Sequence, residues 1–334
     1  RGGVIKMEKL DQESIREISL GFQKSRVLLT AYELGLFSAL GKERKTARQV
    51  SRTLRTDTRA TERLMNALCA LGLLRKIKER FLNTDLSSRF LVKGSPYFMA
   101  GLMHTAHMWD TWSTLTQAVR EGKSVLITRP DKRSREWLAA FIAAMHERAR
   151  PQADQVISLL DLSGVFKVLD VGGGSGAYAM ALVRARKGIK AEIFDLPAVT
   201  KLTRNYVRKE CLLGRIKIVS GDYTVDKLGK DFDLVFLSAI VHSNSSAQNF
   251  ALVDKCVKAL RPAGQLVIQD FIMDENKTAP VFGALFSLNM LVATDSGDTY
   301  TEAEVRKWLE KSGLSGIKRQ DIDFGTSLII GKKN

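Results

Sequence analysis

Residues Val168–Gly176 read VLDVGGGSG, an apolar run that ends in an acid and a glycine-rich turn. A helical pattern opens directly afterwards at Ala177. Glycines at such a turn let the backbone bend tightly and approach a ligand closely, while the first N–H groups of the helix point at it. The stretch therefore predicts a strand, a ligand-binding turn and a helix, with Gly172 and Gly174 as candidate binding residues.

Short apolar segments alternate with helical ones from this turn onward. The predicted strands cover residues 167–171, 191–194, 216–220, 234–238 and 265–269. Such alternation is typical of a parallel, doubly wound sheet of the α/β class. We therefore expect a Rossmann-like domain in the second half of the chain.

The part of the chain that precedes this domain reads as almost wholly helical. Apolar residues recur at helical spacing over residues 25–40 and 58–74, and Thr46 is placed as the N-cap of a short helix between them. Residues 75–83 predict a small β-wing. Helix, short helix, longer helix and wing in this order form a winged-helix outline.

The length of 334 residues also favours two domains, at about 150 residues each. We place an all-α, winged-helix-like domain at residues 1–100, linking helices at 101–160 and the α/β domain at 161–334. No Pro-rich segment marks a boundary, so the linking helices themselves are expected to connect the two parts.

A winged helix either reads DNA or serves as a structural or dimerising unit. DNA reading needs a third helix with a polar, basic outer face. Here that helix offers Arg59, Arg63 and Asn66, but residues 67–71 are apolar on most sides. A helix that is apolar nearly all round is buried in a core or in a subunit contact. We therefore expect a homodimer and do not favour nucleic acid as a partner.

The composition is that of a soluble globular chain, with 45% hydrophobic and 26% charged residues. No apolar run approaches the roughly 18 residues that cross a bilayer, and the opening residues do not resemble a secretory signal. The net charge of +16 is spread along the chain, which favours solubility over a nucleic-acid, lipid or acidic partner.

The three cysteines, Cys69, Cys211 and Cys256, lie in apolar, helix-like stretches. They lack the CxxC pairing that structural zinc sites use. We therefore expect neither a disulfide framework nor a metal site, and a reducing cytoplasm is the simplest location.

Two further strands of the sheet end in groups that suit a nucleoside-containing ligand. Asp195 ends the second strand, where a carboxylate can accept both ribose hydroxyls; an N-cap is its alternative role. Asp222 and Tyr223 follow the third strand, where they can accept the adenine amino group and stack on its ring. Asp170 would repel a pyrophosphate and suits a cationic amino-acid moiety instead. Together these residues predict S-adenosylmethionine (SAM) as the cofactor.

The fourth strand leads to His242, one of four histidines in the chain. Ligands of open α/β sheets bind at the carboxyl edge of the strands, which places this imidazole beside the expected cofactor. An imidazole can take a proton from a phenol or enol as the methyl group arrives. We therefore expect His242 to be a general base rather than a helix cap or a buried core residue.

With these motifs, the chain resembles the class I SAM-dependent methyltransferases. More narrowly, it is similar to the family of caffeic-acid, acetylserotonin and bacterial carotenoid and antibiotic O-methyltransferases. The residues that carry the match are Asp170–Gly176, Asp195–Pro197, Gly221–Tyr223, Leu237–His242, Leu260–Gly264 and Gly297–Thr301. The resemblance implies an N-terminal winged-helix-like dimerisation domain, and it adds Leu196 and Ser238 to the cofactor-binding residues.

Two positions depart from the family pattern. The family segment Leu-His-Asp-Trp has its base at the histidine, which His242 matches, but Ser243 and Asn244 follow it here. Thr299 stands where the family has a glutamate that orients the base. Three nearby carboxylates are candidates for that orienting role: Asp298, Asp295 and Asp274.

Methionines and aromatic residues at helical spacing form either a candidate acceptor pocket or part of the core. The residues selected for acceptor binding are Met103, His107, Trp109, Asn289 and Met290, with Phe98, His104, Met108 and Phe286 beside them. If they form a pocket, the acceptor is flat and apolar: a phenol, a quinone, a polyene alcohol or a tetrapyrrole.

We therefore expect a cytoplasmic, homodimeric SAM-dependent O-methyltransferase that acts on a hydroxyl of a small apolar or aromatic molecule. N-, S- or C-methyl transfer on the same scaffold is an alternative for which His242 need not be a base. A nucleic-acid-binding protein that uses SAM as effector or donor is another. The amino-base signature Asn/Asp-Pro-Pro-Tyr/Phe is absent after the fourth strand, which counts against an adenine target.

Overall fold

The computed structural model describes residues 11–126, 129–322 and 325–334. These residues form two compact units, which divide the chain between Ala106 and His107. The boundaries predicted at residues 100 and 160 stay a prediction.

The first unit is built from short helices and a small sheet. Its elements are α1 (Gln12–Leu20), α2 (Phe22–Glu33), α3 (Leu36–Leu40), β1 (Lys45–Thr46), α4 (Ala47–Leu54), α5 (Thr58–Ala70), β2 (Leu74–Ile77), β3 (Arg80–Asn83) and α6 (Asp85–Phe90). Strands β2 and β3 form a hairpin, and β1 pairs with β3. A capping box between Thr46 and Gln49 begins α4 at the predicted residue. The order of α4, α5 and hairpin agrees with the winged-helix outline.

Two helices of this unit are shorter than the sequence predicts. The stretch expected as one helix over residues 25–40 is divided into α2 and α3, because Gly35 adopts a left-handed conformation with φ of 72°. Helix α5 ends at Ala70 rather than at residue 74. The cause is Gly72, which also has a positive φ and turns the chain before β2 begins at Leu74.

The core of the first unit consists of apolar side chains from its helices and the hairpin. Its buried members are Ala31, Tyr32, Leu36, Phe37, Leu40, Ala47, Val50, Met65, Leu68, Leu74, Phe81 and Leu91. From the apolar end of α5, Leu68 is buried in this core, whereas Ala70 and Leu71 are exposed. The apolar end of α5 therefore serves the core on one side only.

The second unit is an α/β domain. Helix α7 (Leu102–Trp112) spans the division between the units. The elements that follow are α8 (Leu115–Glu121), a 3-10 turn (Pro130–Lys132), α9 (Arg135–Ser158), β4 (Lys167–Val171), α10 (Ala177–Ala185), β5 (Lys190–Asp195), α11 (Pro197–Lys209), β6 (Ile216–Ser220), β7 (Phe232–Ser238), a 3-10 turn (Val241–Ser243), α12 (Ser246–Ala259), β8 (Leu260–Asp270), β9 (Ile272–Met273), α13 (Val281–Ala293), β10 (Tyr300–Thr301), α14 (Glu302–Lys311), β11 (Leu314–Ile322) and β12 (Thr326–Lys333).

The described strands include a seven-stranded sheet in the order β11-β12-β8-β7-β4-β5-β6. Strands β4 to β8 run parallel, whereas β12 is antiparallel to β8 and to β11. The chain leaves β4 towards β5 and β6 on one side and returns to β7 and β8 on the other. The switch point therefore lies between β4 and β7, where open α/β sheets bind ligands. The five predicted strands are confirmed, with β7 and β8 beginning earlier than expected.

Separate apolar clusters cover the two faces of this sheet. Side chains such as Leu252 of α12 and Leu309 of α14 belong to one cluster. Val156 of α9 and Leu182 of α10 belong to the other. Because both faces are covered, β7 is buried over its first six residues instead of alternating between buried and exposed positions.

The cysteines lie in different environments. Cys69 and Cys256 belong to α5 and α12, but Cys211 is exposed in the turn after α11, with φ of 57°. The expectation that all three lie in apolar helices is therefore wrong for Cys211. Within the described ranges, no three His, Cys, Asp or Glu side chains lie close enough together to hold a metal ion. None of the described helices has the length and apolarity that crossing a membrane requires.

Candidate active site

The glycine turn between β4 and α10 lies at the switch point of the sheet. Gly172, Gly174 and Gly176 adopt positive φ values of 67°, 55° and 81°, which disfavour any residue with a Cβ. A Cβ on Gly172 would lie 2.3 Å from the Cδ1 of Ile240, in the loop after β7. A Cβ on Gly174 would meet only Ile142 of α9, at 3.9 Å, so the backbone there faces open space. A ligand can therefore approach the turn closely at Gly174.

Helix α9 contacts this turn, a contact for which the sequence holds no signal. The imidazole Nδ1 of His146 lies 2.9 Å from the Oγ of Ser175, and its ring contacts Tyr206 at 4.5 Å. Burial, with a contribution from Arg150, lowers the pKa of His146, so the ring is neutral at physiological pH. Helix α9 thus holds the turn through an uncharged hydrogen bond.

Asp170 lies near the end of β4 and is almost fully buried, with 1% exposed. Its Oδ2 has no hydrogen-bond partner among the described residues. Burial and the nearby carboxylate of Asp195 raise the pKa of Asp170 to about 7. A Cβ on Gly173 would lie 2.7 Å from the Cγ of this carboxyl group, so the turn packs directly against it. The site therefore contains an unsatisfied buried acid that a cationic ligand would stabilise.

Asp195 ends β5 next to the same turn. Its Oδ2 accepts the N–H of Gly174 at 2.8 Å, and its Oδ1 accepts the N–H of Leu196 at 2.7 Å. Burial raises the pKa of Asp195 to about 6, although these hydrogen bonds favour the charged form. The N-cap residue of α11 is Leu196, so Asp195 is not the helix cap that was its alternative role. Both oxygens keep lone pairs for ligand hydroxyls, and the ribose role stays a prediction.

Asp222 and Tyr223 follow β6 and already have partners within the protein. The Oδ1 of Asp222 accepts the N–H and the hydroxyl of Thr224, and its Oδ2 lies 3.1 Å from the guanidinium of Arg129. Although burial opposes the shift, these contacts lower the pKa of Asp222. The hydroxyl of Tyr223 donates to the Oδ1 of Asn244 at 3.0 Å. The roles of both residues towards adenine stay predictions.

Ser238 ends β7 on the other side of the switch point. Its Oγ donates to the Oε1 of Gln269 at 3.1 Å, and the two residues are register partners on the parallel strands β7 and β8. The phenol of Tyr178 hydrogen-bonds to both side chains. Ser238 thus joins the ends of the two strands, and its contact with the cofactor stays a prediction.

His242 lies in the 3-10 turn after β7, and its partner comes from the end of β8. The Nδ1 of His242 is 2.7 Å from the Oδ1 of Asp270, whose side chain is 2% exposed. The same oxygen of Asp270 accepts the N–H of Phe271 at 2.8 Å, which fixes the carboxylate. The hydrogen bond to Asp270 assigns the proton of the neutral imidazole to Nδ1 and leaves the lone pair on Nε2.

The carboxylate that contacts His242 is therefore Asp270, which was not among the expected carboxylates Asp298, Asp295 and Asp274. Asp298 contacts the histidine loop through its backbone, since its N–H donates to the carbonyl of His242 at 3.0 Å. The sequence did carry a signal for Asp270. It directly follows the predicted strand 265–269, and an acid at the end of the strand beside that of the base lies at the same edge of the sheet.

A network of side chains holds the loop that carries His242. The amide of Asn249 donates to the loop backbone at 2.8 Å, and the amide of Asn244 donates to Asn249 at 3.1 Å. The hydroxyl of Tyr300 donates to the carbonyl of Asn244. Gly297 comes so close that a Cβ there would lie 2.3 Å from the carbonyl oxygen of His242. Asn244, where the family has a tryptophan, therefore anchors the loop.

Three phenylalanines form an aromatic cluster beside His242. Phe286 stands perpendicular to the imidazole of His242, with ring centroids 4.9 Å apart, and Phe271 lies 6.2 Å from it. Phe282 contacts Phe271 at 5.0 Å and Phe286 at 5.9 Å. Of the three, the sequence pointed only to Phe286. The aromatic cluster (Phe271, Phe282 and Phe286) offers flat apolar surfaces next to a proton acceptor.

The residues selected for acceptor binding lie in several environments. Asn289 accepts the indole N–H of Trp112 at 2.9 Å, and Met290 is 5% exposed. The Nδ1 of His107 is buried without a partner among the described residues. Met103 packs against the core of the first unit. The acceptor-binding role stays a prediction for all five residues: Met103, His107, Trp109, Asn289 and Met290.

A doubly wound sheet with a glycine turn, and with a carboxylate at the end of the next strand, defines a domain that binds a nucleoside-containing cofactor. Comparisons with known proteins narrow this class. A family model of the O-methyltransferase domain matches residues 112–315. A model of the O-methyltransferase dimerisation domain matches residues 16–93.

Individual proteins agree with the family models. The chain is 32% identical to 3-hydroxy-5-methyl-1-naphthoate 3-O-methyltransferase of Streptomyces sahachiroi, over 91% of this chain and 90% of the relative. It is also 32% identical to acetylserotonin O-methyltransferase of Bos taurus, over 91% and 92%. The crystal structure of human N-acetylserotonin methyltransferase in complex with SAM matches with a TM-score of 0.84 and 26% identity, over 98% of this chain and 99% of that one. The chain therefore belongs to the SAM-dependent O-methyltransferase family.

The protein is thus a methyltransferase with SAM as its cofactor. The residues at the glycine turn fit such a group. The orphaned Oδ2 of Asp170 suits a cation, and the open space at Gly174 admits a ligand beside the backbone. Asp195 adds a fixed acceptor at the same turn.

Proposed function

We propose that this enzyme transfers a methyl group to a hydroxyl of a small, flat aromatic molecule, with His242 as the general base. The observation that carries the proposal is the 2.7 Å contact between His242 Nδ1 and Asp270 Oδ1 at the carboxyl edge of the sheet. A histidine that merely fills the core does not need a buried carboxylate at its other nitrogen. A catalytic base does, because the carboxylate fixes the ring and stabilises the imidazolium that forms.

The proposed step couples proton loss to methyl transfer. An aromatic hydroxyl is a poor nucleophile until its proton leaves, and the Nε2 of His242 can take that proton as the new O–C bond forms. SAM supplies the methyl group, which is activated by the positive charge on its sulfur. Asp270 keeps its own charge throughout and balances that of the imidazolium. The loop anchored by Asn244 and Asn249 holds the base in place while the proton moves.

The cofactor is proposed to bind along the glycine turn. Asp195 would accept the ribose hydroxyls and the backbone at Gly172 and Gly174 would lie against the ligand, with Asp170 as the nearby acid that favours a cation. Leu196, Asp222, Tyr223 and Ser238 complete the proposed cofactor-binding residues. Support comes from the fixed carboxylate of Asp195 and the open space at Gly174.

The acceptor is proposed to be aromatic. The aromatic cluster beside His242 offers ring faces against which a flat molecule can stack. The buried Nδ1 of His107, which has no partner in the described part of the chain, is available to a polar group of the acceptor. The similar proteins named above act on a naphthoate and on acetylserotonin, both of which are bicyclic aromatic compounds.

We also propose that the enzyme works as a homodimer in the cytoplasm. Helix α1 has no buried residue and exposes Ile15 and Ile18 at 64% and 73%. In the second unit, α13 exposes Val281 at 70% and Leu285 at 53%. Apolar surfaces of this kind support a subunit contact, and the free thiols suit a reducing compartment. Light scattering at micromolar concentration should give the mass of a dimer.

The test of the reaction is to find the atom that receives the methyl group. The purified enzyme is incubated with isotopically labelled SAM and a panel of hydroxylated, aminated and thiolated aromatic compounds. Mass spectrometry should locate the label on oxygen, in a methyl ether. A product labelled only on nitrogen, sulfur or carbon would replace the proposal with the corresponding alternative transfer.

A further inference from the structure

A positively charged side chain lies against the aromatic cluster. Arg148 comes from the second half of α9, and its guanidinium carbon is 4.5 Å from the ring centroid of Phe271 and 5.6 Å from that of Phe282. Phe271 is the residue that follows Asp270, and its ring is 6.2 Å from the imidazole of His242. The distance from the guanidinium carbon to the centre of the imidazole ring therefore cannot exceed the sum of these two distances, 4.5 Å and 6.2 Å. One bicyclic aromatic molecule can span that distance.

The guanidinium has no hydrogen-bonded anion among the described residues, although the carboxylate of Asp270 lies near enough to favour its charge. In the described part of the chain, its nitrogens form no ion pair and no hydrogen bond, and the side chain keeps exposed surface. Asp270 and Tyr178 are the titratable neighbours that favour its charge, whereas burial lowers the pKa of Arg148. Asp270 is already committed to His242 and to the N–H of Phe271. Because Arg148 is exposed and makes no hydrogen bond or ion pair among the described residues, its guanidinium can pair with an anion that arrives from solution.

A guanidinium in this setting has a definite chemical preference. Its planar fork matches the two oxygens of a carboxylate, and its position over the ring of Phe271 holds it beside the aromatic cluster. The exposed side of Arg148 and the ring faces of the aromatic cluster together offer one charged and one apolar surface. A molecule that uses both must carry its anionic group on an aromatic ring.

We propose that Arg148 forms an anion subsite of the acceptor pocket, so that the preferred acceptor is a hydroxylated aromatic carboxylate. The hydroxyl faces His242 and the carboxylate, at the far end of the ring system, pairs with the guanidinium. This inference rests on the proposed function, since it presumes that the acceptor hydroxyl is deprotonated at His242. To that function it adds a negative charge on the acceptor and Arg148 as the residue that binds this charge.

The test compares two matched probes, 6-hydroxy-2-naphthoic acid and 6-hydroxy-2-naphthamide, which differ in charge but hardly in shape. Methylation is followed with labelled SAM, and binding is measured by calorimetry in the presence of S-adenosylhomocysteine. The parent enzyme should prefer the acid, both in Kd and in kcat/KM. Arg148→Met should lower kcat/KM for the acid by roughly 10- to 100-fold, mainly through a higher KM, and should leave kcat/KM for the amide nearly unchanged. Arg148→Lys keeps the charge but not the planar fork, so its preference for the acid should lie between those of the parent enzyme and Arg148→Met.

Arg135→Met is the matched control, since Arg135 is an exposed arginine of the same helix. It should keep the preference for the acid. The proposal is overturned if the amide binds as well as the acid, if neither probe binds, or if Arg148→Met keeps the preference. It is also overturned if Arg148→Met lowers kcat equally for both probes, because Arg148 would then act through Asp270. Failure of the proposed function looks different: the acid binds better than the amide, but no methyl group reaches the oxygen.

Discussion

The two sides of the switch point, the proposed cofactor side and the proposed acceptor side, hold their polar groups by different means. On the cofactor side, the backbone N–H groups of Gly174 and Leu196 fix the carboxylate of Asp195. On the acceptor side, the side chain of Asp270 fixes His242 from 28 residues away, and further side chains anchor the loop. A backbone donor is supplied by the shape of the turn, whereas a side-chain partner must be encoded residue by residue. The cofactor side is therefore fixed by the fold, and the acceptor side by individual residues.

The deepest loss of activity is expected from a change on the acceptor side. His242→Ala removes the proposed base, and kcat should fall by about 10²–10⁴-fold, the usual contribution of a positioned base. The affinity for SAM, measured by calorimetry, should stay within about twofold, because the groups proposed to hold SAM are elsewhere. The measurement is kcat on the preferred acceptor under saturating SAM.

The pair of His242 and Asp270 should also behave as one unit. Adding Asp270→Asn to His242→Ala should cost little further activity, because the carboxylate acts only through the imidazole. If His242→Ala keeps its rate within threefold of the parent, the base role is wrong. If the two changes lower kcat independently, Asp270 has a task of its own.

On the cofactor side, Asp195→Ala should weaken binding rather than slow the chemistry. Loss of the acceptor would leave ligand hydroxyls unsatisfied, at about 1–3 kcal/mol, or roughly 5- to 150-fold in Kd for SAM. Asp161→Ala, at an exposed carboxylate of the same unit, is the control and should leave Kd unchanged. Equal affinities of the Asp195 variant and the parent would remove this residue from the cofactor site.

The packing of the glycine turn can be probed by stability alone. In Gly173→Ala, the new Cβ would lie 2.7 Å from the Cγ of Asp170 and 3.0 Å from Ile193, an overlap that typically costs about 1–3 kcal/mol. Gly214→Ala is the control, since no atom lies within 4 Å of its Cβ position. Thermal unfolding should show a clear drop in Tm for the first variant only. Equal Tm values would mean that the carboxyl group of Asp170 makes room for the new Cβ without a cost in stability.

The smallest expected effect is on the pH dependence of the stability of the ligand-free enzyme. The pKa of Asp170, about 7 when folded, lies above its ordinary value of 3.8, so the folded protein keeps a proton that the unfolded chain releases. The free energy of unfolding should therefore fall as pH rises between about 4 and 7. Asp170→Asn does not titrate and should reduce that fall, gaining on the order of 1 kcal/mol at pH 8 relative to pH 6. Tm values of both proteins at these two pH values provide the check.

Much of the fold could be predicted from local patterns. The strands 167–171 and 216–220 were placed to the residue: the first is a buried, mostly apolar run, and the second is an edge strand in which apolar and polar residues alternate. The glycine turn and Asp195 follow the same logic, since both belong to the strand ends themselves. Thr46 was identified as an N-cap because capping depends on residues three apart.

What depends on contacts between distant segments could not be predicted in this way. The contact of α9 with the glycine turn, through His146, joins residues 29 apart. The apolar pattern of α9 does not predict that Arg148 contacts the aromatic cluster. In each case the partner is set by packing rather than by spacing along the chain.

The close approach of Gly172 and Ile240 links the two sides sterically. A Cβ on Gly172 would lie 2.3 Å from the Cδ1 of Ile240, so the cofactor turn and the loop that leads to His242 share a boundary. A bulkier side chain at position 240 would push against this turn, whose glycines already adopt conformations that other residues disfavour. Changes of substrate are therefore expected to spread through positions on the far side of the pocket, such as those of α13, while position 240 drifts slowly.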